Sequence, residues 1–170
     1  MSEEKPLLAI IVFDLTATGV VRNAIRIASH FVAKGFKTEI WVMRNEGEFK
    51  KDVPKDLIVI EIGNPYIFGH LVPNRRLASL SSVPRIARLI AERKPSVLLS
   101  AGNHFHLAVG LAYRWAGRPS ATRFLGRASN ATPRRGSYWA QAGTIANFVD
   151  AMKYREMHHI IAVSQELAED

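Results

Sequence analysis

The sequence predicts a doubly wound α/β domain: a mostly parallel sheet of about six or seven strands flanked by helices. Three observations carry this. Residues 7–13 (LLAIIVF) are continuously apolar over a strand-sized length, as a strand buried on both faces should be. Strand-like runs alternate with helix-periodic runs roughly every 30 to 40 residues, a spacing that implies parallel pairing through right-handed crossovers. The 170 residues are 48% apolar and 22% charged, enough apolar side chain for one sizeable core and no linker that would divide it.

The elements follow in order. After the first strand, Val21, Ile25, Ala28 and Val32 recur at helical spacing and Gly35 is a natural stop. Residues 38–43 (TEIWVM) and 57–62 (LIVIEI) read as the second and third strands, and the polar run 45–55 separates them. Residues 63–78 hold Gly63, Asn64, Pro65, Gly69, Pro73 and Asn74, the composition of a loop. From Ser79 the pattern is helical again, with Val83, Ile86, Leu89 and Ile90 on one side and Lys94-Pro95 as the end. Residues 97–100 form the fourth strand. Residues 105–116 make a helix apolar nearly all round, expected to be well buried, with Gly117 closing it. Residues 121–125 supply a fifth strand and 159–163 a sixth. Ser164 then caps a further helix signature, which suggests that the chain continues into something longer.

Composition removes several classes of function. There is no cysteine, so disulfide frameworks, thiolate metal sites and cysteine nucleophiles are excluded. No apolar run reaches the roughly 20 residues of a spanning helix. Residues 1–6 are acidic and lack a cleavage site, so they read as a loose tail and not a signal peptide. The net charge of +8 is concentrated: residues 1–74 carry 9 basic and 9 acidic side chains, residues 136–170 carry 2 and 5, and residues 75–135 carry 12 basic side chains against Glu92 alone. Such asymmetry suggests an anionic partner, either phosphate groups, an acidic membrane surface or nucleic acid; a solvated helix face with Arg85, Arg88 and Arg93 is the plain alternative.

In an open parallel sheet, ligands bind beyond the carboxyl ends of the strands where the strand order reverses, which singles out three loops. Residues 14–19 (DLTATG) lead into a helix whose free N–H groups suit a phosphate, with a tight turn capped by Thr16 or Thr18 as the structural alternative. They lack the dinucleotide fingerprint and the P-loop pattern. Residues 100–106 (SAGNHFH) place two imidazoles beyond the fourth strand. Histidines two apart cannot share a helix face and no acid lies near, so a metal clamp is disfavoured; one histidine facing a polar substrate, or a capping or core role, remains open. Residues 126–136 (GRASNATPRRG) mix arginines with hydroxyl and amide groups, a set suited to phosphate or carboxylate. His158-His159 reads as packing, Tyr138 and Trp139 as anchors for the next helix, and the absence of a Gly-x-Ser-x-Gly elbow argues against a serine hydrolase.

Taken together, residues 18–28 (TGVVRNAIRIA), 34–42 (KGFKTEIWV), 94–100 (KPSVLLS) with Asn103 and His104, and 161–170 (IAVSQELAED) resemble the amino-terminal half of a retaining glycosyltransferase with two facing Rossmann-like domains, of the GT-B type and family 4-like. The resemblance implies that residues 1–170 are a Rossmann-like acceptor-binding domain, and that a carboxyl-terminal domain, absent from this chain, holds most of a nucleotide-diphosphate sugar. It places Thr18 and Gly19 in the donor-phosphate loop. Relatives often have Gly-Gly and then a glutamate before arginine there; this chain has Thr18-Gly19 and Val21 before Arg22. Relatives also often carry a histidine after the fifth strand, where this chain offers Arg127, Ser129 and Asn130; the role falls to those residues or to His104. The resemblance therefore assigns His104 and Arg127 to catalysis, and Arg22, Asn103, Ser129, Asn130 and Arg135 to the acceptor. No metal and no cofactor are expected beyond the nucleotide sugar as co-substrate. The family's paired glutamates with seven residues between them are missing, so these residues alone should be inactive. The expected partners are the nucleotide sugar, a glycan or lipid-linked acceptor and an anionic membrane, with no specific nucleic acid. The expected place is the cytoplasm, at the inner face of the membrane. A non-catalytic phosphate- or nucleic-acid-binding α/β module is the alternative.

Overall fold

A computed structural model of the chain describes residues 5–63, 79–128, 152 and 154–162. Six strands form one sheet: β1 (Leu7–Val12), β2 (Lys37–Val42), β3 (Ile58–Glu61), β4 (Val97–Ser100), β5 (Arg123–Ala128) and β6 (His159–Ala162), in the order β3-β2-β1-β4-β5-β6. Every neighbouring pair is parallel. The connecting helices are α1 (Gly19–Ala33), α2 (Val83–Arg93) and α3 (His106–Trp115), and a short 3-10 turn spans Glu48–Asp52.

The two faces of β1 explain its sequence. Ala9, Ile11 and Phe13 pack with Trp41, Leu98 and Phe124 beneath α2 and α3. Leu8, Ile10 and Val12 pack with Ile40, Val42 and Leu99 beneath α1. A central strand covered on both sides has no solvent face, so it reads as an unbroken apolar run. Helix ends obey local chemistry. Thr18 caps α1, its hydroxyl accepting from the Val21 N–H at 3.3 Å. Beyond α1, Gly35 takes φ +81°. Lys94, at φ 46°, ends α2 just before Pro95.

The structure corrects two expectations. The fifth strand begins at Arg123 and runs to Ala128, later than residues 121–125, because Thr122 turns the chain: its hydroxyl donates to the Pro95 carbonyl at 2.6 Å and its N–H to that of Pro119 at 2.9 Å. Gly126 and Arg127 are consequently strand residues, paired with Ile160 and Ile161 of β6, and not loop. Helix α3 buries His106, Ala108, Val109, Gly110, Ala112 and Tyr113, but its last residue, Trp115, is 68% exposed. Most of the expected loop 63–78, all of 129–136 and the helix signature from Ser164 lie outside the described residues.

Candidate functional site

The strand order reverses at β1. The chain leaves β1 for α1 on one face and leaves β4 for α3 on the other, so the two exits diverge and open a crevice between them. The crevice holds about 120 Å³, with Asp14, Thr16, Thr18 and Val20 on the β1 side and Gly102 and His104 on the β4 side.

The β1 side is built on a buried carboxylate. Asp14 is 3% exposed; its Oδ1 accepts the Thr16 N–H at 3.1 Å and the Thr16 hydroxyl at 2.5 Å, and Arg44 lies 3.6 Å from its Oδ2. This is a side chain bending its own backbone, the reason aspartate and threonine favour turns. Arg44 also covers the Phe13 ring at 5.3 Å and pairs with Glu46 at 2.8 Å. The segment after β2 braces the loop further: Leu15 donates to the Glu46 carbonyl, Phe49 donates to that of Leu15, and the Ala17 N–H donates to Glu48 Oε2 at 2.9 Å. The Glu48 backbone N–H first, and that of Ala17 second, hold the Glu48 carboxyl below the usual glutamate range. Gly47 makes this brace possible, since at φ +128° a Cβ there would lie 2.2 Å from the Leu15 carbonyl carbon.

The loop delivers the amino end of α1 to the crevice. The N–H of Val21 is taken by Thr18 Oγ1 and that of Arg22 by the Thr18 carbonyl. Gly19 lies exposed between them, and a Cβ there would meet nothing within 4 Å. That leaves the amides of Gly19 and Val20, at the positive end of the helix dipole, as the ones an anion can reach, the electrostatic setting that suits a phosphate.

On the β4 side the two histidines separate. His106 opens α3, is fully buried, and has Nδ1 2.8 Å from Ser100 Oγ, with its ring 5.9 Å from that of Tyr154; it is a core residue. His104 is half-buried, edge-on to Phe13 at 6.0 Å and Phe105 at 5.5 Å, and lines the crevice. His158 also serves packing: its Nδ1 accepts the Phe124 N–H at 3.0 Å and its ring meets Tyr113.

The residues singled out from the sequence are thus partly assembled. Thr18 and His104 line one crevice, with Gly19 at its edge. Asn103 is half-buried in the β4–α3 turn beside it. Arg22 is exposed on α1, its guanidinium 5.4 Å over the Phe49 ring, and does not line the crevice. Arg127 stands near the carboxyl end of β5, two strands from β1; its Nη1 is buried with no hydrogen-bond partner among the described residues, and burial lowers its pKa. Ser129, Asn130 and Arg135 lie outside the described residues. Asp14, Arg44 and Glu48 shape the loop without having been singled out; the Asp-x-Thr spacing after an apolar strand was the available signal for the first.

Residues 17–170 match the family described as Glycosyltransferase Family 4. Among solved structures, the chain superposes on MurG of Acinetobacter baumannii with a TM-score of 0.61 at 16% identity, covering 94% of this chain and 42% of that one. It matches a glycosyltransferase from Rickettsia africae ESF-5 at 0.63 and 17% identity, with 98% and 38% covered. It matches a UDP-GlcNAc 2-epimerase from Methanocaldococcus jannaschii at 0.57 and 13% identity, with 96% and 40% covered. No curated protein sequence matches it. The chain spans about two fifths of these structures, and at such identities the likeness is one of fold.

Proposed function

The chain belongs to Glycosyltransferase Family 4, and from that premise we propose that it is the amino-terminal, acceptor-side domain of an enzyme moving a sugar from a nucleotide-diphosphate sugar to a glycan or lipid-linked acceptor. A second domain beyond residue 170 completes the donor site in this reading. The supporting observation is the crevice at the strand-order reversal, with open helix amides on one wall and His104 on the other.

Sugar transfer with retention develops positive charge on the sugar and negative charge on the departing diphosphate. Groups already oriented toward those charges supply most of the stabilisation, because they need no reorganisation during the reaction. The amides of Gly19 and Val20, beside Thr18, receive diphosphate oxygens. His104, its ring fixed by Phe13 and Phe105, hydrogen-bonds a hydroxyl of the reacting sugar or acceptor. Arg127 contributes a fixed cation from β5, and Arg22, Asn103, Ser129, Asn130 and Arg135 contact the acceptor. The basic middle of the chain attracts a phosphorylated lipid acceptor, or the anionic membrane that holds it at the cytoplasmic face.

The test is transfer and hydrolysis by the full-length natural polypeptide across the common nucleotide sugars. Activity with one of them, reduced at least a hundredfold by His104→Ala or Arg127→Gln with the fold intact, is expected; no turnover of any donor overturns the reading. The excess of 12 basic side chains over one acid in residues 75–135 also favours a non-catalytic phosphate- or nucleic-acid-binding module. Steeply salt-dependent binding to arbitrary RNA, without sugar-nucleotide turnover, would select that alternative.

A further inference from the structure

Arg127 carries a charge that the described fold leaves unmatched. Its Nη1 is shielded from solvent with no hydrogen-bond partner among the described residues, while the side chain as a whole is half-buried. We propose that Arg127 sets acceptor specificity, and that the acceptor it selects carries a carboxylate, as an acidic sugar does. The proposal rests on reading the chain as an acceptor-side domain and names the chemistry of that acceptor.

Strand geometry gives the guanidinium its place. Along β5, Phe124 packs beneath α2 and α3 and Leu125 packs on the α1 face, so Arg127, two residues further, belongs to the α1 face as well. Its partner in the register is Ile161 of β6, and the pairing of Ser100 with Gly126 brings Ala101 alongside it. Leu125, Ile161 and Ala101 offer no side-chain acceptor. A guanidinium set in such a wall is costly to take out of water, and an arriving anion offsets that cost. Helix α1 begins over β1 on the same face, two strands or about 10 Å away. Arg127 does not line the crevice, so it stands beside the phosphate site and not within it.

Charge decides among anions. Burial lowers the Arg127 pKa, and no charged neighbour among the described residues adds to that effect or opposes it, so the place offers one positive charge. A phosphate monoester brings about −1.5 to −2 charges at neutral pH and three acceptor oxygens, more than one guanidinium answers. A carboxylate brings one charge and two oxygens in a plane, the match of the arginine fork. A neutral hydroxyl accepts a hydrogen bond and leaves the charge uncompensated. Sites built around a buried polar group discriminate strongly against a ligand that cannot pair with it, because the group is then left unsatisfied. An acidic sugar satisfies Arg127, and a neutral one does not.

The experiment is a ligand-observed NMR titration of the full-length natural polypeptide with methyl β-glucuronide, with the uncharged carboxamide of the same sugar, and with inorganic phosphate. The glucuronide should bind about tenfold more tightly than the carboxamide, the yield of one hydrogen bond between charged groups, and phosphate should not displace it. Arg127→Gln should bring the two sugars to equal affinity by weakening the glucuronide. Arg127→Met should melt no lower than the parent, since it removes an unmatched charge. Equal affinity for both sugars in the parent protein, or a preference that survives Arg127→Gln, overturns the proposal. So does phosphate that competes through Arg127, which would make the place a phosphate subsite. A lower melting temperature for Arg127→Met also overturns it, because a carboxylate of the protein itself would then already meet the guanidinium. Transfer to neutral acceptors by a protein indifferent to the carboxylate defeats this proposal and leaves the enzymatic one standing. Arg127-dependent carboxylate binding in a protein that turns over no donor does the reverse.

Discussion

Gly102 leaves the space that the His104 imidazole occupies: a Cβ on Gly102 would lie 3.1 Å from His104 Cε1 and 3.4 Å from Nδ1. Those separations are just inside comfortable contact, so the ring would have to yield by a few tenths of an ångström. Two aromatic neighbours, Phe13 and Phe105, limit where it can go. Gly102→Ala should therefore change the His104 ring resonances in an NMR spectrum while altering stability by less than about 1 kcal/mol, since the strain falls on one side chain at the surface of the core. Unshifted ring resonances would show that His104 does not depend on this space.

The Thr18 hydroxyl satisfies one of the four N–H groups that α1 leaves unbonded at its start. Thr18→Ala should cost about 1 kcal/mol in urea unfolding, and Thr18→Ser should recover most of it. A null result for both would mean that solvent replaces the cap without loss.

The loop that presents Thr18 is also tied to pH. The Glu48 carboxyl is held low by its own backbone N–H and that of Ala17, and Glu156 is held low chiefly by the Arg118 fork, at 2.6 and 2.8 Å. A carboxyl with a folded pKa below its unfolded value adds stability that is fully present above the unfolded value and is lost as pH falls through the folded one. Melting temperature should hence decline as pH drops below the ordinary glutamate range and not before. The gap between the parent and Glu48→Gln should be open at neutral pH and should close as pH falls below the ordinary glutamate range. A gap of constant size across that range would exclude the carboxylate as its source.

These bonds also show what the sequence could disclose. Strand β1 was legible because burial on both faces leaves its mark on every residue of the run, and β2 and β4 because Ile40, Trp41 and Val42 and Val97, Leu98 and Leu99 keep that mark despite Glu39 and Ser100. Gly126 and Arg127 carry no strand signal of their own; they extend β5 because β6, more than 30 residues later, offers them partners. His104 and His106 look alike in sequence, and only the folded position of Ser100 makes one a core residue and the other a wall of the crevice. The brace from Glu48 to Ala17 spans 31 residues and was equally invisible, whereas the cap at Thr18 was local and could be read directly. Trp115 misled for a simpler reason: helical periodicity reports which side chains are apolar, and an apolar side chain at the helix end need not face the core.

The deepest charge in the described structure makes the sharpest prediction. Glu39 in β2 is fully buried, accepts the indole N–H of Trp41 at 2.8 Å, and is met by the guanidinium of Arg93 from the last turn of α2. Residues two apart on a strand point to the same face, so Glu39 and Trp41 face α2 together, and Arg93 can reach them from above while keeping 37% of its side chain in water. Removing a carboxylate from water costs several kcal/mol, and this one is compensated by two donors, of which only the arginine carries charge. Arg93→Met should destabilise the chain by about 3 kcal/mol in urea unfolding, the lower end for a broken buried pair because Arg93 is partly hydrated. Glu39→Gln added to it should restore most of that loss, since a neutral amide oxygen still accepts from Trp41 and leaves no charge unmatched. The double-mutant cycle isolates the coupling. A cost below about 1 kcal/mol for Arg93→Met would mean that the indole alone suffices to keep the carboxylate buried, and a full cost with no recovery in the double variant would mean that the loss comes from the packing of the arginine and not from an unmatched charge.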